Sequence, residues 1–257
     1  MSAAPKKSLG QHFLSDRNIL NSVADAIDIA KDDVVIEIGP GRGSLTEILA
    51  ERAGRVIAVE IDEDLAESLH ISMPAVEVRK ADARTVTPGE LLGGCVPYKL
   101  LGNLPYYAAL AIVRMFLESD CRPTKVSVLV QLEVARNLCA KPGEMSLASL
   151  GVQLFGTPRI VRRVLPGAFN PPPKVTSAVV AIDVFDELPA GLTDAKSFFK
   201  IARAGFSAPR KQLRNALANG LGVPVQDAEA MLVGAALDPR RRAESLSVME
   251  WARLSQV

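Results

Sequence analysis

The sequence is poor in cysteine, in aromatic residues and in uncompensated charge. Three cysteines, Cys95, Cys121 and Cys139, stand far apart in 257 residues. Their odd number and wide spacing argue against the disulfide framework of a secreted domain and against a zinc cluster, and favour a reducing cytoplasm. Thirty basic side chains face 29 acidic ones, a net charge of +1, so bulk charge identifies no polyanionic partner. Any such partner must be read from local clusters. No apolar run approaches the roughly 20 residues that span a bilayer, and the stretch 126–130 is already broken by Ser127. The first ten residues carry Lys6 and Lys7 without an apolar core or an Arg-rich amphipathic stretch, so they do not read as an export or organelle signal. Internal repeats, low-complexity tracts and a metal-ligating cluster are absent from the pattern as well.

What is present is globular: 48% hydrophobic and 23% charged residues, in a length that suits one large domain with a smaller companion. Short β-branched runs recur at 34–38, 56–60, 76–79, 98–102, 126–131, 159–164 and 177–183. Between them, 45–52, 64–71 and 107–117 place apolar residues at helical spacing. This alternation predicts a seven-stranded, doubly wound α/β sheet with its first five strands parallel. The last two flank Pro171-Pro172-Pro173 without a crossover helix and are expected to close the sheet as an antiparallel pair. After Phe185 the residues Asp186, Glu187, Pro189 and Gly191 form a linker, and helical patterns follow at 194–205, 209–219, 225–232 and 245–254. The expected domains are therefore 1–185 and a small all-helical 186–257, the latter slightly basic.

The run Val34-Val35-Ile36-Glu37-Ile38-Gly39-Pro40-Gly41-Arg42-Gly43 is a strand entering a glycine-rich turn, with a helix from Ser44. Glycines allow a ligand close to the backbone, and the helix start offers unpaired N–H groups. A dinucleotide fingerprint would put its third glycine or alanine at position 44, which is Ser, so NAD is disfavoured. Glu60 ends the second strand, where a carboxylate can accept hydrogen bonds from both ribose hydroxyls, and Asp82 follows the third strand. Three successive strand ends thus converge on one crevice.

After the fourth strand stands Asn103-Leu104-Pro105-Tyr106, which resembles the Asn-x-Pro-Tyr motif of methyltransferases that modify exocyclic base amines. An adenine amine is a poor nucleophile because its lone pair is delocalised into the ring. In this reading the Asn103 side-chain oxygen and the Leu104 carbonyl accept the two amine hydrogens, Pro105 fixes the turn and Tyr106 stacks on the base. No general base is needed, since the proton becomes acidic only after methyl transfer.

Together with Ser8-Leu9-Gly10-Gln11-His12-Phe13-Leu14, Phe169-Asn170-Pro171-Pro172-Pro173-Lys174-Val175-Thr176-Ser177 and the stretch from Phe206 to Leu217, these motifs resemble the small-subunit ribosomal RNA adenine dimethyltransferases over nearly the whole chain. The resemblance implies a Rossmann-like class I methyltransferase domain carrying a helical C-terminal RNA-recognition domain. It further implies S-adenosylmethionine as cofactor, with S-adenosylhomocysteine as product, and dimethylation of two adjacent adenines near the 3′ end of small-subunit rRNA. Immature small subunits are the implied partner, with a monomeric, cytoplasmic enzyme and no membrane. Cofactor contacts are implied at His12, Leu14, Gly39, Glu60, Asp82 and Asn103, with Asp82 on the cofactor's adenine. Phe169 is implied on the face of the target base opposite Tyr106. The chain departs from the family in Tyr107-Ala108-Ala109, where polar residues are common, and in Met145-Ser146-Leu147-Ala148-Ser149-Leu150.

Three basic clusters could take phosphates: Arg159, Arg162 and Arg163; Arg203, Arg210, Lys211 and Arg214; and Arg240, Arg241 and Arg242. Arg210 and Arg214 are expected on one face of a helix whose Leu213 and Leu217 pack inward. A reactive base must leave its stack, which favours single-stranded or loop RNA. Two other readings remain: an adenine methyltransferase acting on large-subunit rRNA or DNA, and a non-catalytic ribosome-assembly factor.

Overall fold

The computed structural model describes Lys6 and residues 11–257; Ser8, Leu9 and Gly10 of the N-terminal motif lie outside the described residues. In chain order the strands are β1 (Phe13–Leu14), β2 (Val34–Ile38), β3 (Arg55–Glu60), β4 (Glu77–Lys80), β5 (Lys99–Asn103), β6 (Lys125–Gln131), β7 (Gly156–Val164), β8 (Phe169–Asn170) and β9 (Ser177–Val184). The helices are α1 (Arg17–Asp25), α2 (Ser44–Arg52), α3 (Glu63–Ser72), α4 (Pro88–Leu92), α5 (Ala109–Glu118), α6 (Leu132–Leu138), α7 (Leu147–Gln153), α8 (Ala195–Gly205), α9 (Leu213–Leu221), α10 (Val225–Gly234) and α11 (Val248–Leu254).

Seven strands form one sheet in the order β4-β3-β2-β5-β6-β9-β7. The first five run parallel, as expected, and β9 lies antiparallel to β6 with Val128 opposite Val180. β7 closes the edge beside β9. The interior strands are apolar on both faces because helices cover both. Val35, Val56, Leu101, Leu129 and Val179 join a core with Ile19, Leu20 and Val23 of α1 and Leu45, Ile48 and Leu49 of α2. Their alternates Ile36, Ile57, Leu100 and Val128 are equally buried. Each such side chain contributes about 1.5–3 kcal/mol of transfer free energy.

Helix starts follow capping chemistry. Asp16 accepts from the N–H groups of Asn18 and Ile19 to open α1, and Thr87 and Glu90 form a capping box on α4. The strand order reverses between β2 and β5, so the loops after β2, β3, β4 and β5 open on a common crevice at the carboxyl ends.

Several expectations are corrected. The tail helix expected at 209–219 begins only at Leu213, so Arg210 lies in the turn before it. Leu213 and Leu217 are fully buried, as expected. The helix expected from 107 begins at Ala109. β1 and β8 pair in a separate two-stranded sheet with Leu14 opposite Phe169.

The compact units also differ from a division at 185/186. One comprises the described residues up to Ala135 with Thr157–Val184, and the other comprises Arg136–Gly156 with Phe185–Val257. Polar backbone groups explain why Arg136–Gly156 joins the helices. The N–H groups of Gly143 and Met145 both donate to the Glu244 carbonyl, at 2.8 and 3.1 Å, and the Phe155 ring sits 6.3 Å from that of Phe199.

Cys95 and Cys121 are joined by a disulfide, against the expected lack of one. The cause is topological: each precedes one of two neighbouring strands, β5 and β6, which brings their Cα atoms to 5.5 Å.

Candidate functional site

The crevice is a cleft lined by Gln11–Leu14 on one wall, the loop from Gly39 to Arg42, Glu60, Asp82 and the turn from Asn103 to Tyr106. Backbone packing shapes its floor. Gly39 holds φ +69°, and a Cβ there would meet the Asn103 carbonyl oxygen at 3.1 Å, so a side chain would separate the loop after β2 from the end of β5. The Gly39 N–H donates to Val59 O at 2.9 Å, which ties the loop to β3.

Glu60, only 5% exposed, organises the next layer. Its Oε2 accepts from the Gly41 N–H at 3.0 Å and its Oε1 from the Asp62 N–H at 2.9 Å. Burial raises its carboxyl pKa, opposed by those two N–H donors. Each carboxylate oxygen has a further lone pair for a ligand hydroxyl. Asp62 in turn accepts from Lys6 Nζ at 2.7 Å and from Gln11 Nε2 at 2.8 Å, clasping the N-terminal segment beside the cleft.

Asp82 is engaged by Arg84, whose Nε and Nη2 reach its two oxygens at 3.0 and 2.6 Å. The Arg84 guanidinium holds its carboxyl below the ordinary carboxylate range.

Asn103 carries the most informative geometry. Its side-chain amide donates from Nδ2 to the backbone carbonyl of His12 at 2.9 Å. A carbonyl can only accept, so this bond fixes the amide's orientation and leaves Oδ1 as an available acceptor among the described residues. The Leu104 carbonyl likewise takes no backbone hydrogen bond there. His12 lends its own Nδ1 to the Pro171 carbonyl at 2.8 Å, and its ring lies stacked at 5.8 Å from that of Tyr106. Tyr106 is anchored by a 2.6 Å hydrogen bond between its hydroxyl and Ser177, and burial pushes its pKa up.

The structure therefore brings His12, Leu14, Gly39, Glu60, Asp82, Asn103, Leu104 and Tyr106 to one cleft. It does not bring Phe169. That ring is 4% exposed, packs in the core with Leu14 and does not line the cleft, because pairing of β8 with β1 turns it inward. Phe169→Ala is thus expected to cost about 3–5 kcal/mol of stability, the scale for emptying a buried phenylalanine site, readable in chemical denaturation. Unchanged stability with lost activity would instead restore it to the base site.

Glu37 escapes a reading of the sequence, since an acid inside an apolar strand carries no motif of its own beyond the loop it precedes. It lines the cleft at 1% exposure, with Oε2 lacking a hydrogen-bond partner. Burial first, then the Glu60 charge, pushes its pKa from 4.5 up to about 8, with the Thr46 hydroxyl opposing. The sign of the stability effect follows. Below about pH 4.5 both folded and unfolded chains are protonated; between there and about 8 the unfolded chain ionises while the folded chain does not, so stability falls as pH rises. Glu37→Gln should therefore match the wild type at low pH and exceed it increasingly up to about pH 8 in denaturant melts. A pH-independent gap would contradict this.

Outside the cleft, the basic clusters separate by partner. Arg159 pairs with Asp183 at 2.9 Å, Arg162 donates to Asn18 O, Arg214 pairs with Glu229, Arg240 with Asp238 and Arg241 with Glu250. The Arg203 guanidinium lies 5.8 Å from the Phe199 ring centroid. The side chains of Arg163, Arg210, Lys211 and Arg242 are exposed and have no ion-pair or hydrogen-bond partner among the described residues.

The lining fits a ligand with a ribose and apolar parts: the Glu60 carboxylate and the partnerless Glu37 Oε2 share the cleft with Leu14, Leu20, Ile38 and Leu65. The chain is 46% identical over 252 residues to the ribosomal RNA small subunit methyltransferase A of Dehalococcoides mccartyi strain CBDB1, covering 97% of this chain and 87% of that one. It superposes on the 23S rRNA methyltransferase ErmE with a TM-score of 0.76 and 28% identity, over 95% of this chain and 98% of the other. A dimethyladenosine transferase from Plasmodium falciparum shares the fold with a TM-score of 0.81 at 24% identity, over 95% and 96%. With a family match over residues 3–257 added to a cleft built on Glu60, Asp82 and Asn103, the chain belongs to the ribosomal RNA adenine dimethylase family.

Proposed function

We propose that this protein dimethylates the exocyclic amines of two adjacent adenines near the 3′ end of small-subunit rRNA, acting as a monomer on immature subunits in the cytoplasm. The observation that carries the reading is the Asn103 amide, whose Nδ2 is held by the His12 carbonyl so that Oδ1 is left to accept from a base amine. S-adenosylmethionine, when bound, supplies an electrophilic methyl group and leaves as S-adenosylhomocysteine. Glu60 would accept from its ribose hydroxyls, Asp82 from its adenine, and the Gly39 turn would admit it to the backbone, with His12 and Leu14 forming the opposing wall.

The remaining chemistry belongs to the chain's own groups. Asn103 Oδ1 and the Leu104 carbonyl draw the two amine hydrogens out of conjugation, which localises the lone pair on the adenine nitrogen. Tyr106, held by Ser177, presents a fixed ring for the flipped base. The amine proton turns acidic once the nitrogen is alkylated and passes to water, so no buried base is required. Repetition on the monomethylated amine uses the Leu104 or the Asn103 acceptor alone. Among the described residues no helix is long and apolar enough to cross a membrane.

RNA phosphates fall to the unpartnered cations. Reversing Arg210 and Lys211 to Glu is expected to weaken subunit binding and flatten its salt dependence, by roughly 0.7 in the log–log slope for each lost single-strand phosphate contact. Filter binding at several salt concentrations checks it. The function itself is tested by offering labelled cofactor with undermethylated small subunits, large subunits or DNA. Incorporation confined to small subunits is expected. Preference for large subunits would favour the reading suggested by the similarity to ErmE.

A further inference from the structure

Tyr107 is the aromatic residue that the chemistry above leaves unused. It follows the turn from Asn103 to Tyr106 directly, lines the mouth of the cleft and is 61% exposed, whereas Tyr98 is buried and Tyr106 is partly so. A lone exposed ring on a plain surface would need no explanation. This one is backed by a cation. The Arg84 guanidinium carbon lies 6.0 Å from the Tyr107 ring centroid. Arg84 is itself locked, with its backbone N–H on Asp82 Oδ1 at 2.9 Å, Nε on the same oxygen at 3.0 Å and Nη2 on Oδ2 at 2.6 Å. The fork has thus lost its rotamer freedom before any ligand arrives, while the side chain remains about half exposed. Its Nη1 makes no hydrogen bond among the described residues.

We propose that Tyr107 and Arg84 form a docking platform for the RNA nucleotide next to the target adenine, the neighbouring base stacking on the open face of Tyr107 and its phosphate taking the Nη1 donors of Arg84. The inference rests on the assignment of an RNA adenine as substrate. Three features favour single-stranded RNA over a small ligand. Tyr107 is largely open to solvent, the nucleotide on either side of a base flipped onto Tyr106 must pass over the adjacent residue, and base–aromatic stacking tolerates any base while the cation behind the ring favours a phosphodiester. A second guanidinium–aromatic pair, Arg42 at 4.5 Å over Phe13, stands on the same cleft lining. Arg84 also connects the platform to Asp82, so RNA docking would act on the residue assigned to the cofactor's adenine.

The test compares wild type with Tyr107→Ala, Tyr107→Leu, Tyr107→Phe and Arg84→Gln, using undermethylated small subunits and S-adenosylmethionine. Calorimetry supplies cofactor affinity, and methyl incorporation supplies KM for subunits and kcat. Tyr107→Ala and Tyr107→Leu should raise the subunit KM by roughly 5- to 150-fold, the range of one lost stack, with cofactor affinity within about twofold. Tyr107→Phe should behave as wild type, because the ring face and not the hydroxyl makes the stack. Arg84→Gln should lower the salt slope by roughly 0.7. Weakened cofactor binding with an unchanged subunit KM would overturn the proposal and put the ring over the cofactor. An unchanged KM in Tyr107→Ala, or equal losses in the Phe and Ala variants, would also overturn it. Should wild type itself methylate no small-subunit adenine, the functional assignment falls and the platform falls with it; a methylating wild type beside an indifferent Tyr107→Ala removes the platform alone.

Discussion

Asn103→Ala is expected to lower the rate of methyl transfer by roughly 100- to 1,000-fold, the scale for removing one fixed polar group aimed at a developing transition state. Cofactor affinity should fall much less. The amide does two jobs with separate atoms: Nδ2 ties β5 to the His12 carbonyl, and Oδ1 meets the substrate amine. Alanine removes both, so a modest loosening of the N-terminal wall accompanies the loss of transfer. Asn103→Asp sharpens the result, because a carboxylate keeps the acceptor yet sets a second oxygen against the His12 carbonyl. That variant should bind cofactor more weakly than Asn103→Ala does. Single-turnover transfer and calorimetry on the same preparations separate these effects, and wild-type transfer by Asn103→Ala would refute amine activation by this residue.

Glu60→Ala carries the second large effect, on binding. A carboxylate that accepts hydroxyl hydrogen bonds contributes about 1.5–3 kcal/mol, so cofactor affinity should drop roughly 10- to 150-fold. The loss extends beyond the ligand. Glu60 also receives the N–H groups of Gly41 and Asp62, and its removal leaves both donors near a cleft shaped around them. Glu60→Gln retains one acceptor oxygen and should lie between wild type and Glu60→Ala. Equal affinity of all three proteins, measured by calorimetry, would remove Glu60 from the cofactor site.

The residues legible in the sequence share one property: they stand where a strand ends. Glu60, Asp82 and Asn103 follow apolar runs whose spacing predicts parallel strands, and parallel strands carry their loops to one edge. What escaped prediction depends on contacts between distant segments. Phe169 is expected on the target base by resemblance, and only the pairing of β8 with β1 shows it buried beside Leu14. Cys95 and Cys121 read as unrelated thiols until β5 and β6 lie side by side. Arg136–Gly156 joins the helical unit through the Glu244 carbonyl, a link that no local pattern announces. Arg210 and Arg214 share a helical spacing in sequence, yet α9 starts between them and Glu229 takes Arg214. Glu37 is hidden for the opposite reason: its burial is legible as part of a strand, but its lack of a partner is a property of the folded cleft alone.

This cleft is expected to methylate adenine amines of small-subunit rRNA. Undermethylated small subunits incubated with the protein and S-adenosylmethionine, followed by nuclease digestion and mass spectrometry of the nucleosides, test it directly. N6,N6-dimethyladenosine at two adjacent positions near the 3′ end is the expected product, with none formed by Asn103→Ala on the same timescale. Methyl groups on another base, or on no base while the cofactor binds normally, would contradict the account.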